Sequence, residues 1–137
     1  MNFKNYFFVP FFLAIVSVAF AQNEQNIDQG IDNISAEYAV CATYFSIVYH
    51  AMSSSNRKDI ADKYGDLQET AIEYALLLAS QGRDPETAGK VTMARMKISN
   101  QEMQKEANYN NANISILIEK YQNKCIEAIN NPESMVK

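Results

Sequence analysis

Ile31-Asp-Asn-Ile-Ser-Ala-Glu-Tyr-Ala-Val-Cys-Ala-Thr-Tyr-Phe-Ser-Ile-Val-Tyr-His-Ala-Met52 is the stretch whose reading decides the fold. Within it Ile31, Ile34, Tyr38, Cys41, Phe45, Val48 and Met52 recur at steps of 3, 4, 3, 4, 3 and 4 residues. A half-buried strand alternates every second residue, whereas an α-helix brings positions three and four apart onto one face. The stretch is therefore an amphipathic helix with one continuous apolar stripe.

The pattern repeats downstream. Ile60, Tyr64, Leu67, Ala71, Tyr74 and Leu78 follow at steps of 4, 3, 4, 3 and 4, after a break at Ser53-Ser54-Ser55-Asn56. Asn56 is expected to cap this second helix and Gly82 to end it. Asp84-Pro85-Glu86 reads as a new start: Asp84 accepts backbone N–H bonds, Pro85 suits the first helical position, and Glu86 favours the positive end of the helix dipole. Val91, Met96, Ile98, Met103 and Ala107 give the third helix a broad apolar face. Asn108-Tyr109-Asn110-Asn111-Ala112-Asn113 is poor helix material and predicts a turn. Ile114, Ile118, Tyr121, Cys125 and Ala128 form the last stripe, stopped at Asn130-Asn131-Pro132. The expected fold is all-α, an up-down-up-down four-helix bundle.

The two cysteines test that topology. Cys41 lies about 12 residues below the end of the first helix, and Cys125 about 13 below the start of the fourth, a depth of about 18–20 Å for each. First and fourth helices are neighbours in such a bundle, so a Cys41–Cys125 bridge fits. Were the third and fourth helices one rod, Cys125 would stand about 60 Å along it, beyond reach of Cys41. The bridge thus requires the Asn-rich break. Two buried free thiols are the alternative state.

The N-terminus accounts for a lopsided composition. Six of the seven Phe fall in the first twenty residues. Met1–Asn5 is polar with one cation, Lys4, and Tyr6–Phe20 is uncharged and mostly apolar. Ala19-Phe20-Ala21 is the small-x-small pattern of a signal-peptidase site. The reading is a signal peptide over 1–21, a single helical domain over 22–137, and a secreted or periplasmic product with no membrane association after cleavage. The rival is an uncleaved anchor, although the run is shorter than the roughly 20 residues of a membrane span. The full chain has a formal charge of −4. Loss of Lys4 leaves 11 of the 12 basic residues against 16 acidic ones. That balance argues against a nucleic-acid partner.

Few residues offer chemistry. His50 is the lone His, and no Gly-x-Ser-x-Gly elbow accompanies it. Cys-x-x-Cys-His is absent, as is any Glu-x-x-His pair for a carboxylate-bridged metal pair. No catalytic residue, cofactor or metal is therefore assigned. Asp59, Asp62, Asp66, Glu69 and Glu73 recur at steps of 3, 4, 3 and 4 opposite the apolar stripe of the second helix, with Lys63 among them. They form either a solvated face or an acidic ridge that meets a basic protein partner. Tyr44, Tyr49 and Tyr109 fall off the apolar stripes and are expected at the boundary of the bundle or on a binding surface. Asn33-Ile-Ser35 and Asn113-Ile-Ser115 match the glycosylation pattern of a eukaryotic secretory protein.

Tyr38-Ala-Val-Cys41-Ala-Thr-Tyr44-Phe45 resembles the opening of small exported bacterial helical proteins of unknown function, and Asn113-Ile-Ser-Ile-Leu-Ile-Glu-Lys120-Tyr121-Gln-Asn-Lys-Cys125 resembles their close. The resemblance implies a secreted bacterial protein with a Cys–Cys bridge and brings no activity with it. The expected function is a non-enzymatic binding protein of the inhibitor, immunity-like or chaperone kind. The alternative is a ligand- or b-type haem-carrying bundle that uses His50 with Met96 or Met103.

Overall fold

A computed structural model describes the backbone of residues 10–136 and the side chains of residues 28–136. Four long helices make the bundle: α1 (Pro10–Ser54), α2 (Lys58–Ala79), α3 (Pro85–Glu106) and α4 (Ile114–Asn130). Short 3-10 turns at Asn111–Asn113 and Pro132–Met135 precede and follow α4. The expected cleavage point, Ala21–Gln22, lies within the α1 backbone, while the start of the expected signal peptide, residues 1–9, lies outside the described residues. Among the described residues no helix is long and apolar enough to cross a membrane.

The helix ends show which local signals the chain obeys. Asp84 caps α3 as expected, accepting a bond from the Thr87 N–H at 3.0 Å, with Pro85 at the first position. Asn56 does not cap α2. It closes α1 instead, at a left-handed φ of 59°. There the Arg57 N–H bonds the Met52 carbonyl at 2.9 Å and the Asn56 N–H bonds the Ser53 carbonyl at 3.1 Å, the double closure usually built on glycine. Asn tolerates this conformation because its short polar side chain lowers the cost of positive φ. Asn108 repeats the arrangement after α3, with the Tyr109 N–H on the Gln104 carbonyl at 2.7 Å. Gly82 does not terminate α2 either. That helix stops at Ala79, where the Ser80 hydroxyl donates to the Leu77 carbonyl at 2.7 Å, and no glycine in the described residues has a positive φ.

Packing is centred on α1, which lies against all three other long helices. Its buried surface is correspondingly wider than one stripe: Ala39, Ala42, Thr43 and Tyr44 are buried beside Tyr38, Cys41, Phe45 and Val48. Three polar bonds fix the register. Ser35 Oγ donates to the Ala75 carbonyl of α2 at 2.8 Å, Tyr38 Oη to the Ala128 carbonyl of α4 at 2.9 Å, and Thr43 Oγ1 to the Met96 carbonyl of α3 at 3.3 Å. Cys41 and Cys125 are joined, with Cα atoms 5.3 Å apart and 84 residues of separation. Since Tyr38 meets Ala128 and Cys41 meets Cys125, α1 and α4 run antiparallel. The fold is the disulfide-closed four-helix bundle that the stripes predict.

Candidate interaction surface

The five carboxylates of the α2 series, Asp59, Asp62, Asp66, Glu69 and Glu73, are all exposed. Their spacing places them opposite Ala61, Ala71, Ala75 and Ala79, the buried positions of the helix. Among the described residues none of the five belongs to an ion pair. Carboxylates one turn apart on a helix repel by a few tenths of a kcal/mol per pair. Lys63 is exposed among them and Lys58 stands one turn before Asp62, but neither forms an ion pair with the five.

At one end of α2 the surface changes from charged to apolar. Leu77 is 60% exposed one turn beyond Glu73. It borders a groove formed with Ile34 and Tyr38 of α1, Tyr74 and Leu78 of α2, and Val136 after the last turn. The groove has a volume of about 420 Å³ and adjoins a second depression of about 790 Å³ that shares Ile34, Leu78 and Val136. Glu37, Lys124 and Glu127 border the second depression. Lys124 is already paired with Glu37 at 2.7 Å.

Beside this groove lies a polar node that the sequence reading did not single out. Asp32 of α1 receives Arg95 of α3, whose Nη2 donates to Oδ2 at 2.6 Å and whose Nη1 donates to Ser35 Oγ at 3.1 Å. Arg83, in the turn between α2 and α3, brings Nη1 to 2.7 Å from Asp32 Oδ1, a close ion pair and not an aligned hydrogen bond. Burial acts to raise the Asp32 pKa, and the two guanidiniums more than offset it, so the carboxyl lies below its ordinary value. The available signal was positional. Asp32 and Ser35 each follow a stripe residue of α1 and lie beside the stripe, and Arg95 stands among Ala88, Thr92 and Ser99 on the buried side of α3. A charge on a core-facing position needs a partner.

The tyrosines read as off-stripe separate into three environments. Tyr44 is fully buried, contrary to a boundary or surface role, because α1 is enclosed on three sides. Its ring packs with Phe45, Tyr64 and Tyr121 at centroid distances of 5.3, 6.3 and 6.0 Å. Its hydroxyl has no hydrogen-bond partner, and burial, with Tyr64 adding to it, pushes the phenol well above its ordinary pKa. Tyr49 is half-buried, its ring lying over Gly65 of α2. Tyr109 is exposed in the turn after α3. On α3, Ile98 proves exposed, and small side chains, Ala88, Thr92 and Ser99, occupy the buried face with Met103. His50 is exposed with its ring edge-on to Tyr49, whereas Met96 and Met103 pack into the core. Within the described residues no group of three His, Cys, Asp or Glu side chains is placed to hold a metal ion.

The geometry defines a disulfide-stapled helical bundle with one acidic face that ends in an apolar groove. No protein-family model matches the chain, and no curated protein or solved structure proves similar to it.

Proposed function

We propose that this is a non-enzymatic exported binding protein, of the inhibitor, immunity-like or chaperone kind, whose acidic α2 face meets a basic protein partner. The observation that carries the reading is the row of five exposed carboxylates without an ion-pair partner among the described residues. A face required only for solubility is served as well by mixed charges, which do not repel. A basic partner offsets the repulsion and gains electrostatic steering. Export fits the disulfide, since such bridges persist in oxidising compartments. In this reading cleavage follows Ala21, residues 22–137 form the single mature domain, and the product is secreted or periplasmic, in keeping with the resemblance to small exported bacterial proteins.

Reversing charge at Asp62→Lys, Asp66→Lys and Glu69→Lys tests it. The helical circular dichroism is expected to be unchanged, because all three side chains are exposed. Association with the partner recovered from an envelope extract is expected to slow, and its salt dependence to flatten. Association that is equally fast in the variant and insensitive to salt overturns the proposal.

A further inference from the structure

We propose that the groove between α1, α2 and the C-terminal turn seats an amphipathic basic segment of the partner, its apolar side chains against Leu77 and Val136 and its cations against the surrounding carboxylates. The proposal rests on the reading of α2 as a face for a basic partner, and it adds where that partner is anchored and by what chemistry.

The groove exists because of which side chains meet at this end of the bundle. The buried cluster here is Tyr38 with Ala39, Ala75 and Ala128, three of its four members being alanine. Such small residues leave Ile34, Tyr74, Leu78 and Met135 only partly covered. Leu77 at 60% exposure and Val136 at 73% then stand at the open edge. Adjoining exposed apolar side chains around a concavity mark a binding surface more often than scattered ones do.

Charge selects the occupant. Among the described residues Glu37, Glu127 and Glu133 line the two depressions against one cation, Lys124, which is held by Glu37. Glu127 and Glu133 belong to no ion pair among the described residues. Glu69, Glu73 and Leu77 follow one another at four-residue steps, so the acidic ridge runs directly into the apolar groove. An occupant with apolar anchors at helical spacing and flanking lysines or arginines satisfies both halves at once. A fatty acid would set its carboxylate among these carboxylates. A second copy of this chain, with a formal charge of −4, would meet like charge.

The probe is a fluorescent synthetic helix of leucine and lysine with its leucines on one face, compared with a scrambled peptide of the same composition. Anisotropy titration of the full, oxidised chain is expected to show binding about tenfold or more tighter for the ordered peptide. Leu77→Lys with Val136→Lys is expected to remove about tenfold or more of that affinity, and the milder Leu77→Ser a smaller part, with unchanged circular dichroism because both side chains are exposed. If the groove variants bind as wild type while the Asp62, Asp66 and Glu69 reversal abolishes binding, the groove is overturned and the acidic face stands. If the groove variants lose binding and the reversal does not, the groove stands and the acidic face falls. Equal binding of ordered and scrambled peptides overturns the groove, as does a dimer of the free protein that the ordered peptide fails to displace.

Discussion

The two halves of the bundle are built on different principles. In one, Tyr44, Phe45, Val48, Met103 and Leu117 are fully buried around the Cys41–Cys125 bridge, and large side chains interdigitate. In the other, alanines form the centre and polar contacts do the joining: Tyr38 to Ala128, Ser35 to Ala75, and Asp32 to Arg83 and Arg95. Bulk and a covalent link close the first half. The second is held by directional bonds and leaves a groove. The bridge and the groove thus lie in separate regions, so the exposed groove side chains can be changed without touching the bridge.

The largest expected effect belongs to the closed half. Cys41→Ser with Cys125→Ser opens a ring of 84 residues. Chain entropy alone makes that worth about 4–5 kcal/mol, an upper figure. Urea denaturation should show the midpoint falling by a corresponding amount. A loss of under about 1 kcal/mol would mean that the large side chains suffice and that the contrast between the halves owes nothing to the bridge.

Asp32→Asn is the matching test of the open half. It removes one partner from both arginines and should cost about 1–2 kcal/mol, the partial exposure of all three side chains limiting the effect. The effect should depend on pH. Because the Asp32 pKa is lowered by folding, its contribution is complete above the ordinary carboxylate value of 3.8 and is lost as pH falls through the lower folded value. Wild type and variant should therefore converge in acid and separate towards neutrality. A constant gap across that range would remove the ion pairs from the account.

A smaller effect sharpens the comparison tyrosine by tyrosine. Tyr38→Phe deletes the bond to the Ala128 carbonyl and should cost about 1 kcal/mol. Tyr44→Phe deletes a buried hydroxyl that has no partner, so stability should stay level or rise by up to about 1 kcal/mol. Thermal melts of the two single variants decide it, and a loss at Tyr44 equal to that at Tyr38 would show that its hydroxyl has found a partner.

How much of this was legible in the sequence depended on range. The 3-4 spacing of Ile31–Met52 and its successors gave the helices, since periodicity is a local consequence of helical geometry. The Asp84-Pro85-Glu86 start held because a cap involves only three or four residues. The cysteine pairing was legible because helix rise converts sequence separation into depth. Asn56 was assigned to the wrong helix, because the same residue type serves an N-terminal cap and a left-handed closure, and only the backbone distinguishes them. Tyr44 was misplaced because one stripe describes a helix packed on one side, and α1 is packed on three. The groove and the Asp32 node join residues from distant parts of the chain, with Asp32 and Arg95 63 positions apart, so local spacing can flag Arg95 as core-facing but cannot name its partner. The acidic ridge was visible as spacing, whereas its continuation into Leu77 and the groove required the bundle to be assembled.

The bridge also governs what a protease can accomplish. All three connections between the long helices, at 55–57, 80–84 and 107–113, lie between Cys41 and Cys125 and so within the covalent ring. A single cut in any of them opens the ring without releasing a fragment. The nicked product stays one molecule until it is reduced, and only then separates into two pieces. Cleavage at any one of these exposed turns would thus be a survivable injury for as long as the bridge stays oxidised.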